Sequence, residues 1–483
     1  MVGAHSIATV LQSHPLVARV STVAPVSSDT QQKTTFYVVL KPEAWNVPAD
    51  LGRLHNTNWQ RVYDAAYETA APDPALDTTC WKDSYTGSAI PAEQMAEWVN
   101  NTVIRILELK PRRILEIGCG TGLLLYRLAP HCDEYAGLDI SQTAIERLTA
   151  DLATRGDAFK HVTVLQRGAD QLDDFAARRF DLVIINSVVM YFPSEDYLSS
   201  VLDNAIGMVE RGGHVFVGDV RDRTAAELFY LTVELAHLAD GATAGELAAA
   251  VRKRAAIEKE LLVPAAYFGA LAARDERIGG ARIELKGGAA HNEMTRFRYD
   301  VTLAIGARGG DAPAEPMPEI DGSMLGPEGV QRILEGKASP CRVTRLRNAR
   351  LLREASLLAA LAENTTAPVR ALLERPVAPA VDPFALAAAA RQQGRAVSMQ
   401  PSQSARPEEF DVVVWPTQDA PPRAVWSPPA LPRTSNPRDA LNLQLRLRME
   451  RQLVQLLLKS LEPRLDKAEP RPNIVVVDEL PAG

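Results

Sequence analysis

Between residue 113 and about residue 302, short apolar runs alternate with stretches whose apolar residues recur every three to four positions. A short apolar run bounded by glycine, aspartate or asparagine reads as a buried strand; the three-to-four spacing reads as a helix with one face inward. Strands are predicted at 113–117, 135–139, 162–166, 180–186, 213–218, 282–286 and 296–304, and helices at 122–129, 142–154, 194–209, 223–239 and 245–260. This alternation implies an α/β, doubly wound sheet, mostly parallel and covered on both faces. Ligands of such a sheet bind at the carboxyl ends of its strands.

The flanks are patterned differently. Ser6 to Pro15 reads as a helix, and Val17–Val23 and Thr35–Leu40 read as strands. That piece is too short to bury a core of its own and must pair with something distant in sequence. Residues 54–110 read as a lid preceding the first sheet strand. In it Trp59, Val62, Tyr63, Ala66 and Tyr67 recur at helical spacing, and the polar loop Trp81–Pro91 leads into a helix from Ala92 to Leu109. The aromatic stripe suits a core face as well as a cavity wall. After the α/β region, 306–336 is rich in glycine and proline and reads as a loop. Next come a strand at Cys341–Leu346, helices at Asn348–Glu363 and Asp382–Gln392, and a strand at Phe410–Trp415. A proline-rich run, 416–437, an amphipathic basic helix, 446–465, and a strand within 473–481 complete the chain.

A length of 483 residues accommodates two or three domains. The formal charge of -7 argues against nucleic acid as the main partner. The four cysteines, at 80, 119, 132 and 341, lack metal or redox spacing. No metal site is expected, and the pattern suits a reducing cytoplasm. No apolar run is long enough to cross a membrane, and no secretion signal is evident at the N-terminus.

The chemistry concentrates at Arg113-Ile-Leu-Glu-Ile-Gly-Cys-Gly-Thr-Gly122, a strand running into a glycine turn. Gly118, Gly120 and Gly122 let the backbone turn tightly and approach a ligand. Asp139 ends the next strand, nineteen residues after Gly120, where an acid can bind a ribose diol. Dinucleotide folds favour G-x-G-x-x-G; here the run is Glu-Ile-Gly-Cys-Gly-Thr-Gly. It resembles the first motif of class I S-adenosylmethionine-dependent methyltransferases, which have a Rossmann-like fold. The resemblance implies S-adenosyl-L-methionine as cofactor, with Gly118, Gly120 and Gly122 beneath its methionine part. Asp139, with Ile140 beside it, falls at the ribose, and Glu116 near the amino group. It also implies Asp170 at the adenine, although a helix cap explains Asp170 equally well. Asn186 and Ser187 would lie by the reactive methyl, and Trp59, Tyr63 and Tyr85 would shape the cavity. Asp219 suits either a site role or a helix cap.

Three further segments resemble methyltransferases embedded in nonribosomal peptide synthetases: Asn186-Ser-Val-Val-Met-Tyr-Phe-Pro193, Gly218-Asp-Val-Arg221 and His291-Asn-Glu-Met-Thr-Arg-Phe-Arg-Tyr-Asp300. The chain ends resemble the C-terminal subdomain of an adenylation domain, with His14-Pro15-Leu-Val17 at one end and Val475-Val-Val-Asp-Glu-Leu-Pro481 at the other. The expected plan is an adenylation remnant over 1–45, the methyltransferase over 46–365, and a linker with the second part of the remnant over 366–483. The two chain ends then build one small α+β subdomain. The adenylation core, its Asn-Gly-Lys lysine and a carrier serine are missing from the sequence, so these segments are not expected to activate an amino acid.

The resemblance implies N-methylation of the α-amine of a carrier-bound aminoacyl thioester within a synthetase module. Glu293 and His291 would handle the proton, with Tyr191 and Asn186 orienting the reactants. Two alternatives stay open. One is a freestanding enzyme that cyclises the cofactor to azetidine-2-carboxylate and methylthioadenosine; the other is a non-catalytic scaffold.

Overall fold

The computed structural model describes residues 4–23, 34–46, 49–68, 77–78, 81–175, 178–306, 317–336, 340–363, 365–404, 406–418, 441, 443–462 and 472–480. Two strands near the N-terminus, β1 (Val17–Val23) and β2 (Thr35–Leu40), form an antiparallel pair. Five strands follow and lie parallel: β3 (Arg113–Ile117), β4 (Glu134–Asp139), β5 (Val162–Gln166), β6 (Phe180–Asn186) and β7 (Val209–Arg221). β9 (Arg298–Ile305) runs antiparallel to β7, and β8 (Ile278–Leu285), antiparallel to β9, completes the sheet in the order β5-β4-β3-β6-β7-β9-β8. A second sheet joins β10 (Glu319–Asp321), β11 (Cys341–Arg347), β12 (Arg395–Pro401) and β13 (Glu409–Pro416). The last strand, β14 (Asn473–Val476), runs parallel to β2.

The large sheet is the doubly wound core that the pattern predicts. Successive side chains on a strand point to opposite faces, so β3 and β6 feed two cores. Leu115, Ile117, Val183 and Ile185 pack under the helix Glu195–Met208, together with Val201 and Leu202. Ile114, Leu182 and Ile184 pack on the other side against helix α3, counting helices as α1 (Ala4–Gln12), α2 (Ala49–Tyr67) and α3 (Ala92–Leu107). Burial on both faces explains why these strands lack polar alternation. Each fully buried Leu, Ile or Val stabilises the sheet by about 1.5–3 kcal/mol.

The differences from the predicted elements have local causes. The helix expected over 122–129 is regular only at Leu125–Leu128, because three glycines with positive φ occupy the turn before it. β7 begins four residues earlier than expected, at Val209, by pairing with Phe180. The helix Ala265–Arg274, opened by Pro264, was not anticipated. The loop expected over 306–336 instead contains β10 and the helix Pro327–Glu335, whose proline sits where the first turn needs no N–H. The second sheet, with its own core of Val343, Leu346, Phe410, Val412 and Val414, spans the domain boundary drawn at 365/366.

The two chain ends meet. Leu11, Phe36 and Val38 pack with Met449 and Leu457, from the helix Leu443–Leu461, and with Ile474. From residue 419 to 440 the proline-rich run lies outside the described residues, as does Cys80. Among the described residues no helix is long and apolar enough to cross a membrane, and no cluster of metal-ligating side chains occurs.

Candidate active site

A cavity of about 180 Å³ opens at the carboxyl ends of β3, β4 and β6. Its floor is the glycine turn. Gly118 (φ +82°) donates its N–H to the Leu138 carbonyl at 2.6 Å. A Cβ at that position would lie 2.2 Å from Val188 Cγ2, so only glycine lets backbone form this wall. Gly120 N donates to Asp139 Oδ2 at 2.8 Å, and Ser141 N donates to Oδ1 at 2.8 Å. Burial raises the Asp139 carboxyl above its ordinary range, against the pull of those amides. Glu116, at the end of β3, accepts from Tyr135 Oη at 2.6 Å. Burial pushes it up to about 8, and the Tyr135 hydroxyl only partly offsets this.

The roof is α2. Asp64 accepts from Ser141 Oγ at 2.6 Å, and His55 meets the Tyr191 carbonyl at 2.9 Å. These contacts lay the aromatic stripe over Tyr191. Trp59 and Tyr63 approach the Tyr191 ring with centroids 4.6 and 5.2 Å away, and Tyr67 stacks on Tyr63 at 5.7 Å. The stripe is therefore a cavity wall rather than an interior core face. Burial raises the Tyr63 and Tyr191 hydroxyls well above their ordinary value, which keeps them neutral donors.

Behind the wall formed by Ser187 and Trp98 lies a buried charge cluster. Ser187 (φ +59°) and Asp219 (φ +63°) adopt left-handed backbone at the ends of β6 and β7. Such conformations cost a non-glycine residue roughly 1–2 kcal/mol each. Here they turn the two side chains together, Ser187 Oγ donating to Asp219 Oδ2 at 3.1 Å. Asp219 is fully buried and also accepts from Trp98 Nε1 at 3.1 Å and Arg298 Nη1 at 2.6 Å. Burial alone would raise it; the Arg298 and Lys286 charges overcome that and hold it below the usual range. The other guanidinium nitrogen of Arg298 reaches Glu293 Oε1 at 2.9 Å, and Ser84 N donates to Glu293 Oε2 at 3.0 Å.

The expected residues therefore divide. Glu116, Gly118, Gly120, Asp139, Ile140, Tyr63, Asn186, Ser187 and Tyr191 line the cavity. Gly122 does not: a Cβ there would strike Leu148 at 2.7 Å and Tyr126 at 2.8 Å, so it serves helix packing. Asp170 stands behind the wall, beside the hydroxyl of Tyr197, which does line it. Tyr85 packs against a separate cluster that includes Leu228 and Phe297. The two residues expected to handle the proton make other contacts. His291 is 60% exposed and pairs with Asp382 at 3.3 Å, away from the cavity lining. Glu293 is committed to Arg298 and the Ser84 amide. Sequence reading missed Asn56, Tyr67, Trp98 and Tyr197 as lining residues; for the two on α2, Asn56 and Tyr67, the signal was the helical stripe itself.

Asn186 lines the cavity, but its carbonyl oxygen is turned from it and lies against Gly218. Asn186 is 7% exposed, its Nδ2 donates to Ser187 Oγ at 3.0 Å, and its Oδ1 has no hydrogen-bond partner among the described residues. A buried carbonyl without a donor costs about 1–3 kcal/mol. The glycine cradle, Asp139 and the α2 aromatics give the cavity an acidic, aromatic and backbone-lined character that fits a cationic adenosyl cofactor.

Buried Glu116 makes the fold pH-sensitive. Its folded pKa lies above its unfolded value, so its contribution to stability is complete below about 4.5 and is lost as pH rises through about 8. Glu116→Gln keeps a partner for Tyr135 and removes this dependence. In cofactor-free protein it is expected to leave the melting temperature unchanged at pH 5. At pH 9 it should raise stability by roughly 2–4 kcal/mol, which scanning calorimetry at both pH values would measure.

Residues 115–215 match the model of a family described as a methyltransferase domain. The chain is 34% identical over 437 residues to chondramide synthase cmdD of Chondromyces crocatus, covering 87% of this chain and 11% of that one. It is 35% identical over 343 residues to the probable non-canonical nonribosomal peptide synthetase CymA of Salinispora arenicola, covering 71% and 4%. The chain thus spans about a tenth or less of the length of these relatives. Among solved structures, it is similar to the N-methyltransferase NodS from Bradyrhizobium japonicum (TM-score 0.30, 19% identity, 43% of this chain and 86% of that one).

Proposed function

We propose that this chain, an S-adenosylmethionine-dependent methyltransferase of the nonribosomal peptide synthetase kind, methylates the α-amine of an aminoacyl thioester presented by a carrier protein. The observation that carries the reading is the glycine turn with the Asp139 carboxylate held across it by the Gly120 amide at the cavity, supported by the extended likeness to chondramide synthase. When bound, the cofactor supplies an electrophilic methyl group on a sulfonium. The residues proposed to hold it are Asp139 at the ribose, Glu116 at the amino end, and Gly118 and Gly120 through their backbone. Trp59, Tyr63 and Tyr191 close the cavity from water and present ring faces that favour a cation. Asn186, which lines the cavity, orients the attacking amine; such alignment is the main contribution an enzyme makes to a displacement.

The test is product analysis by mass spectrometry, with an aminoacyl-loaded carrier protein and without it. S-adenosylhomocysteine and a methyl-sized mass gain that both depend on the carrier are expected. Carrier-independent methylthioadenosine would replace this reading with cofactor cyclisation. Asn186→Ala is expected to lower kcat about 10–100-fold while cofactor Kd changes less than threefold. An equal loss in both would remove Asn186 from the reactive end.

A further inference from the structure

The carboxylates that line the cavity, Asp77, Glu116 and Asp139, sit around the glycine turn, Asp77 through the Thr121 hydroxyl on its carbonyl, and none is placed to meet the incoming amine at Tyr191. Asp219 is saturated by Ser187, Trp98 and Arg298, and Glu293 by Arg298 and Ser84. Glu116 and Asp139 face the cofactor end. His291 lies outside. The proton carried by an ammonium substrate still needs an acceptor near Tyr191.

The segment 256–264 supplies one. Leu261 N donates to the Met190 carbonyl at 2.7 Å, which sets residue 260 alongside Tyr191. Val263 N donates to the Arg221 carbonyl at 3.0 Å, and Tyr299 Oη donates to the Val263 carbonyl at 2.8 Å, so the segment is fixed at three points. Glu260 Oε2 is held by Arg221 Nη1 at 2.6 Å, while its side chain keeps 27% exposure. Arg221 is itself 10% exposed and is also paired with Glu258 at 2.9 Å, and Tyr230 Oη donates to that same Glu258 oxygen. The carboxylate is therefore oriented by a neighbour that does not depend on it alone. Its charge is felt at both cavity hydroxyls, Tyr191 and Tyr63, and at Arg298.

We propose that Glu260 is the residue that receives the substrate's amine at the cavity rim. It draws in the ammonium form and takes one N–H proton onto its carboxylate, leaving the nitrogen lone pair free beside Tyr191. The N–H bond breaks, an O–H bond forms on Glu260, and its exposure lets that proton pass to water after turnover. This rests on the amine-methylation reading above, and it also accounts for why Arg221 is buried with two glutamates rather than one.

Glu260→Gln retains an acceptor for Arg221 and removes the charge. Two measurements on the full chain decide the matter. The first needs no turnover: calorimetric binding of an aminoacyl N-acetylcysteamine thioester and of its des-amino analogue, each with S-adenosylhomocysteine present. Wild type is expected to prefer the amine about tenfold or more, and Glu260→Gln to lose that preference while S-adenosylhomocysteine Kd stays within twofold. A preserved preference in the variant, or none in wild type, overturns the proposal. The second is carrier-dependent methylation. An approximately 10–100-fold loss of kcat/KM in Glu260→Gln supports the proposal, and an unchanged value overturns it. Failure of wild type to methylate any carrier-bound amine would instead strike the functional reading, leaving the binding comparison to judge Glu260.

Discussion

Gly118→Ala abolishes cofactor binding: the expected Kd for S-adenosylmethionine or S-adenosylhomocysteine rises at least about a hundredfold, with methylation falling below detection. Two effects combine. At φ +82° an alanine carries about 1–2 kcal/mol of backbone strain. Its methyl would also sit 2.2 Å from Val188 Cγ2, well inside any real contact. Relief requires either the turn or Val188 to move, and both form the cavity wall. A comparable change at Gly156, also at positive φ but with open space around it, carries only the strain. Urea unfolding of Gly118→Ala beside Gly156→Ala separates strain from clash, and calorimetric titration of Gly118→Ala reads the effect on cofactor Kd. Normal cofactor affinity in Gly118→Ala would refute the assignment of the turn.

Arg298→Met destabilises the fold by about 3–5 kcal/mol, the range for removing one partner of a buried ion pair. Methionine fills comparable space but leaves Asp219, fully buried, and Glu293, 6% exposed, without their shared cation. Lys286 remains 3.7 Å from Asp219 and is already engaged with Asp300 at 3.0 Å. The sign of the pH dependence is fixed. In wild type the folded Asp219 pKa is depressed, so its stability contribution is present above the ordinary carboxylate value and lost as pH falls through the lower folded one. With Arg298 gone, burial dominates and the folded pKa rises. Protonation then relieves the variant, and its deficit should shrink between pH 7 and pH 4. Urea unfolding at both pH values measures this. A deficit that stays constant would mean that Arg298 stabilises through packing alone. Arg298→Lys is expected to recover only part of the loss, because an ammonium cannot span two carboxylates.

The amino-acid pattern by itself determined the doubly wound sheet, because β3 and β6 must be apolar on both faces and β4 must end in an acid. It also determined the glycine turn and the placement of Asp139, since both are local: Gly118 and Gly120 follow β3 directly, and β3 and β4 are adjacent. The aromatic stripe of α2 was legible as a stripe. That Trp59 and Tyr63 shape the cavity came from the resemblance and not from periodicity, because the partner Tyr191 is 136 residues from His55 along the chain. The same holds for charge. The resemblance implies a proton role for Glu293, while the fold pairs its carboxylate with Arg298 and brings Asp219 from 79 residues away to share that guanidinium. His291, two residues from Glu293, turns outward to Asp382, and Gly122 and Tyr85 face packing clusters rather than the cavity. Glu260 carried no sequence signal at all. Its position comes from one backbone hydrogen bond to the Met190 carbonyl and one arginine at the end of β7. Periodicity reports which way a side chain faces on its own element; whether a carboxylate is saturated or available depends on contacts between elements, and those exist only once the chain has folded.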